Sequence, residues 1–211
     1  MSMLEKVVAA ITPNESDHDR REARTRARDL ALQHAWLASV LEHHERIEEA
    51  FADVARTDDG EARREAQKRL GLVLTAHSIA EEAVVYPALA QVGERGDAAS
   101  AYKEQAEAKM HMAELERIEP TSAEYLEKLE AIRKAVAHHV YEEEGTWFVE
   151  LANKASAADQ GKLKQRYEEE FERYLGDADD ELGGSLQYAD TLTQTRTPGD
   201  LDYGTREGRG R

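Results

Sequence analysis

Apolar residues recur at helical spacing in four successive stretches, and this pattern restricts the chain to one class of fold. Between Ala31 and Ala55, Trp36, Val40, Leu41, Ile47, Phe51 and Val54 fall three, four and seven residues apart, so a helix would gather them on one face. After Thr57-Asp58-Asp59-Gly60, which ends one helix and caps the next, Leu70, Val73, Leu74, Ile79 and Val84 continue toward Tyr86-Pro87 and a stop near Gly93. Gly96-Asp97 opens a third helix, Ala98 to Ile118, closed by Glu119-Pro120-Thr121-Ser122. The fourth runs from Ala123 to about Leu151 with Leu126, Leu129, Ile132, Val136, Val140 and Trp147 inward. Helices of this length joined by short connections predict an all-α, up-down-up-down four-helix bundle.

The rest of the chain divides around that bundle. Residues 1–30 read as an N-terminal helical extension, 31–155 as the bundle and 156–176 as an additional helix carrying Leu163, Tyr167, Phe171 and Tyr174. Residues 177–211, rich in Gly, Thr, Asp and Arg, read as a flexible tail or an arm that could join a second copy into a homo-oligomer.

Charge and cysteine count narrow the chemistry. The net charge of −16 over 211 residues disfavours a nucleic-acid partner and suits a cation. The absence of cysteine leaves His, Asp and Glu as the strong metal ligands. No apolar run reaches 18 residues and the N-terminus lacks a small-residue cleavage pattern, so we expect a cytoplasmic protein with no membrane partner.

Two helices each carry a His followed four residues later by a Glu, namely His77 and Glu81, then His139 and Glu143. Residues at i and i+4 lie one above the other on a helix, so imidazole and carboxylate can reach a common ion from the same side. Ile79, Val84, Val136 and Val140 give both pairs apolar flanks, a setting that surface ion pairs, the competing reading, do not need. The duplication suggests an internally pseudo-symmetric, carboxylate-bridged pair of ions. In the first bundle helix His44 lies on the inward stripe and His43 on its edge. Tyr86, Tyr141 and Trp147 flank the motifs, where core packing competes with a role in controlling oxidising species.

The runs Glu42-His43-His44-Glu45-Arg46-Ile47, Ala76-His77-Ser78-Ile79-Ala80-Glu81-Glu82-Ala83-Val84-Val85-Tyr86-Pro87 and His138-His139-Val140-Tyr141-Glu142-Glu143-Glu144-Gly145-Thr146-Trp147-Phe148 resemble the hemerythrin-like HHE cation-binding family. The resemblance implies a non-haem di-iron site with ligands His44, His77, Glu81, His139 and Glu143, the two glutamates bridging, and a small ligand such as oxygen, nitric oxide or peroxide. It admits a binding or sensing protein, an oxidoreductase consuming peroxide or a nitrogen oxide, or, with a degenerate site, a metal-poor bundle for self-association. The third helix departs from the family pattern: Gln105 stands where the family has a ligand His, and His111 lies about 9 Å further along the axis. Gln105, Glu104 or a water would then fill the gap, or the site would hold one iron rather than two.

Overall fold

The computed structural model describes residues 15–181, with side chains through 176, and these residues are helical with no strand among them. We label the helices α1 (Asp17–Ala31), α2 (Ala35–Arg56), α3 (Gly60–Ala80), α4 (Tyr86–Gln91), α5 (Arg95–Leu115), α6 (Ala123–Glu142), α7 (Phe148–Lys154) and α8 (Ala157–Glu181). The chain falls into a unit ending at Leu175 and a second unit from Gly176 onward. The expected extension begins as a helix at Asp17, while residues 1–14 and most of the expected tail, 182–211, lie outside the described residues. The final helix continues to Glu181, beyond the end expected near Gly176.

Local chemistry sets the boundaries. Ser16 and Asp19 form a reciprocal capping box at the start of α1, and the Asp59 carboxylate accepts from Ala62 N–H at 2.8 Å before α3. Ser122 Oγ accepts from Tyr125 N–H at 3.1 Å before α6. Gly93, at φ +109°, supplies the left-handed residue that turns the chain after α4.

Helix α2 packs on α3, α4 on α5, α5 on α6 and α6 back on α2, which makes a closed helical bundle, with α1 laid against α2 and the end of α6. Its interior has two apolar clusters. One gathers Trp36, Leu37, Tyr86 and Phe148 with Tyr167 and Phe171 of α8, and the other gathers Ile47, Phe51, Leu70, Leu115, Tyr125 and Ile132. Along each bundle helix the chemically interesting side chains fall between them: His44 between Leu41 and Ile47, and His77 between Leu74 and Ala80. Burial by apolar layers on both sides removes water from that polar level.

One expected core position is corrected. Leu126 is 40% exposed, and Tyr125 is fully buried in its place. The inward stripe of α6 is Tyr125, Leu129, Ile132 and Val136; Leu126 sits about 100° round the helix from Tyr125, whose hydroxyl finds Gln67 Oε1 at 3.0 Å.

Two wide turns interrupt the bundle helices immediately after the histidine-glutamate pairs. Glu81–Val85 separates α3 from α4 and Glu143–Trp147 separates α6 from α7, both as single π turns. In the first, Pro87 cannot continue a regular α-helix because its ring would meet the carbonyl of Ala83 and it has no N–H. The wider turn makes room, and the Glu82 carbonyl accepts from the Tyr102 hydroxyl at 2.7 Å. The second packs against α1, with Gly145 facing Ala23.

Candidate metal centre

The π turns explain how an interrupted helix can aim three side chains at one point. His77 and Glu81 are one α-turn apart and face the same way, and the next residue on that face is displaced by the wide turn to the fifth position after Glu81, which is Tyr86. Tyr86 N–H bonds to the Glu81 carbonyl, and its hydroxyl donates toward Glu81 Oε2 at 3.0 Å. The second half repeats the geometry: Phe148 N–H bonds to the Glu143 carbonyl, and the Phe148 ring lies parallel to that of His44 at 6.1 Å. One pseudo-symmetric position therefore carries a hydroxyl and the other does not.

His44, His77, Glu81 and Glu143 are all buried, and one donor atom from each lies within 4.8 Å of the others. His44 Nε2 is 3.2 Å from Glu143 Oε2 and 3.9 Å from Glu81 Oε1, and His77 Nε2 is 3.1 Å from Glu81 Oε2. His139 stands outside that foursome but adjoins it, its Nε2 3.3 Å from Glu143 Oε1 and 3.0 Å from the Tyr86 hydroxyl. Each glutamate thus turns one oxygen toward His44 and the other toward a different neighbour.

The polar atoms left without partners fit a cation. His44 Nε2, Glu81 Oε1, Glu143 Oε2 and Gln105 Oε1 are buried with no aligned hydrogen-bond partner. Buried nitrogen and oxygen atoms are rarely left so, because each forfeits its hydration without recompense. Three of these four belong to the residues that converge, and the donor set of imidazole and carboxylate suits a first-row transition ion. The residues present therefore fit a metal.

A second group of donors lies next to the first. The Tyr86 hydroxyl touches Glu81 Oε2, His139 Nε2 and Glu143 Oε1, the last at 2.9 Å, and Gln105 Nε2 reaches Glu81 Oε2 at 2.6 Å. Gln105 also contacts the Tyr86 hydroxyl at 2.5 Å. Of the side chains considered for the gap on the third bundle helix, Gln105 points into the centre and Glu104 stands behind His139, accepting at 2.8 Å from its Nδ1. His111 is elsewhere, between Glu114 and Lys128.

Every inward histidine is anchored through its other nitrogen. His44 Nδ1 lies 2.8 Å from Glu144 Oε1, and Glu144 takes two bonds of 2.9 Å from Arg24 of α1. His77 Nδ1 lies 3.0 Å from the Tyr167 hydroxyl, which also meets His43 Nδ1 at 2.8 Å. Such outer partners set ring orientation and decide which nitrogen is bare. Neither Arg24 nor the Tyr167 hydroxyl was singled out by the sequence, and Tyr86 was noted only as a flank of the motif, with core packing the competing reading. Tyr86 and Tyr167 read as apolar stripe members, and only tertiary contact reveals where their hydroxyls go.

The electrostatics of the metal-free centre follow from burial against charge. Burial alone would lower His44 and His139, but the adjacent carboxylates, Glu143 and Glu144 for one and Glu143, Glu104 and Glu81 for the other, raise them to about 9 and about 10. Glu143 is pushed up by burial and held well below its ordinary value by the neighbouring His139 and His44 charges. Burial raises the Tyr86 hydroxyl well above the usual phenol range, and the Glu143 and Glu81 charges add to this. Burial, aided by the charges of His77, Arg46 and His44, pushes His43 down to about 2 and keeps it neutral.

A curated protein named DNA nickase, from Nostoc sp. (strain PCC 7120 / SAG 25.82 / UTEX 2576), is 27% identical to this chain over 141 residues. The match covers 67% of this chain and 39% of that protein, so the chain spans about two fifths of the relative's length. No solved structure matches the chain. The hemerythrin HHE cation binding domain matches residues 35–151, the stretch that holds His44, both histidine-glutamate pairs and both π turns, and this chain belongs to that family.

Proposed function

We propose that the protein is a non-haem di-iron protein, built on an up-down-up-down four-helix bundle, that binds or senses a small ligand such as oxygen, nitric oxide or peroxide. The observation that carries this reading is the set of buried, unpartnered atoms His44 Nε2, Glu81 Oε1 and Glu143 Oε2 facing one another. His44 and His77 would hold one ion and His139 the other, with Glu81 and Glu143 as the carboxylates shared between them. Iron bound there supplies an electron-rich Lewis acid to which a small ligand attaches. The protein's own part is to keep that place dry and shaped. Phe148 over His44 and Trp147, its ring 5.6 Å from that of His139, cover the imidazoles with apolar surface.

Tyr86 decides the second position. Its hydroxyl lies in the middle of the second donor group, so an ion held by His139, Glu81 and Glu143 would meet Tyr86 as an oxygen ligand once the phenol gave up its proton. Gln105, in place of the family's histidine, stands beside it as an amide whose oxygen has no other partner. This asymmetry would set the second ion apart from the first, with the neutral Gln105 amide the replaceable neighbour at the place where an incoming ligand would bind. Turnover of peroxide or a nitrogen oxide remains the enzymatic alternative to simple binding, and steady-state consumption by the iron-loaded protein separates them.

The test is iron content and visible absorption after anaerobic reconstitution and exposure to air. Two irons per chain are expected, with a phenolate-to-iron band that Tyr86→Phe abolishes while cutting the iron to one. Glu81→Ala and His139→Ala are expected to lose iron as well. Unchanged iron in both alanine variants overturns the assignment.

A second reading comes from the name of the Nostoc relative, DNA strand nicking. The chain's charge of −16 favours the first reading, because a phosphate backbone is repelled by such a field.

A further inference from the structure

The last described helix lies outside the residues that match the family, yet it touches the centre. Tyr167 and Phe171 are one helical turn apart on α8 and face the same way. Phe171 stacks on the ring of His43 at 3.6 Å and 19°, and the Tyr167 hydroxyl lies between the Nδ1 atoms of His43 and His77. Tyr167 is 0% exposed, His77 2% and His43 7%, so these three groups must satisfy one another with little help from water.

We propose that Tyr167 is a positioning residue that accepts the Nδ1 proton of His77 and so holds the ring with its Nε2 lone pair toward Glu81 and the metal. The argument is one of proton counting, and it rests on the reading of His77 as a ligand. A phenol has one proton to donate and lone pairs to accept. Its two partners here are both ring nitrogens of the same type, at 2.8 and 3.0 Å, so Tyr167 donates to one and accepts from the other. With Nε2 of His77 given to the ion, a neutral His77 carries its proton on Nδ1 and must be the donor. The Tyr167 proton then goes to His43 Nδ1, and His43 carries its own proton on Nε2. The direction runs from the centre outward, His77 to Tyr167 to His43.

This arrangement differs from those behind the other two histidines. Glu144 and Glu104 are carboxylates, strong acceptors that draw on the Nδ1 proton and strengthen the donor at Nε2. A phenol is a weaker acceptor, so His77 orients firmly yet remains the poorest electron donor of the three. His43, which bonds to no metal, has a purpose in this scheme: it takes the hydroxyl proton that would otherwise compete for His77. The appended helix therefore completes the outer shell of the centre, and the residues matching the family do not supply it alone.

The experiment uses the full-length chain with Tyr167→Phe, which keeps the ring and removes only the hydroxyl. Nitrogen NMR of the zinc-loaded proteins reads the histidine tautomers, and chelator competition reads iron affinity. Wild type is expected to show His77 protonated at Nδ1 and His43 at Nε2. Tyr167→Phe is expected to lose the fixed His43 tautomer and to bind iron about 10–100-fold more weakly, the usual cost of removing an outer partner. His43→Phe guards against a folding defect in the first variant and is expected to weaken iron in the same direction by less. A wild type that takes up no metal overturns the metal reading itself. A wild type that binds metal while Tyr167→Phe keeps both tautomers and full affinity, whatever its melting temperature, overturns this proposal alone.

Discussion

At the residue scale the centre is a set of buried carboxylates and imidazoles whose charges suit a cation. In the metal-free protein His44 and His139, raised to about 9 and about 10, act as buried imidazoliums beside Glu143 and so take part of an ion's place. Their folded values lie above the ordinary 6.5, so the stability they contribute is complete below about pH 6.5 and is lost as pH rises through 9 to 10. Glu143 is shifted the other way, and its contribution is present above 4.5 and lost as pH falls. Chelator-treated protein is therefore expected to melt at its highest temperature between about pH 4.5 and 6.5, with a decline toward pH 10 that His139→Gln reduces. A flat melting temperature between pH 7 and pH 10 would contradict this account. Metal must displace the same protons, so uptake is expected to strengthen as pH rises. Spacing alone pointed to His44, His77, Glu81, His139 and Glu143 as candidates, because inward position on a helix is legible from period. The hydroxyls of Tyr86 and Tyr167 were not legible, because a tyrosine on an apolar stripe looks like packing until the group at its tip is placed.

At the element scale the two π turns matter most, and neither shows in a hydrophobic pattern read at 3.6 residues per turn. Each adds one residue to a turn, a local loss of regularity that persists where side chains need it. Here it brings Tyr86 to the face of Glu81 and Phe148 to the face of Glu143. Inserting one alanine after Ala83 would rotate Tyr86 and Leu89, both fully buried, by about 100° relative to Glu81. The variant is expected to keep its helical circular dichroism, melt at lower temperature and lose the phenolate-to-iron band. Retention of both iron and melting temperature would mean that the register of Tyr86 on Glu81 has no part in the site. The exposed Leu126 teaches a similar lesson, since Tyr125 displaced it by having a hydrogen-bond partner, Gln67, across the bundle.

At the scale of the whole molecule, charge and burial act together. The charge of −16 favours capture of cations and repels nucleic acid, and none of the described helices is long and apolar enough to cross a membrane. Incubation of the iron-loaded chain with supercoiled plasmid at low salt, where electrostatic binding is strongest, is expected to leave the plasmid intact. Conversion to open circles that disappears in Glu81→Ala would instead give the DNA reading the lead. Iron or zinc is expected to raise the melting temperature in proportion to the logarithm of its concentration above the dissociation constant, since a ligand bound only by the folded state stabilises it by linkage.

Period and composition were enough to read the helical class, the approximate extent of the long helices and five inward candidates for a cation site. Those depend on period, capping residues and the absence of cysteine, which are local or compositional properties. Packing of the helices was required to show which Nδ1 atoms are anchored by carboxylates and which by a phenol, and that the Tyr86 hydroxyl meets both Gln105 and His139. It also decided that a helix beyond the matched region reaches the centre through Tyr167. These contacts join residues far apart in the chain, and no local rule encodes a hydrogen bond between side chains whose helices must first be packed.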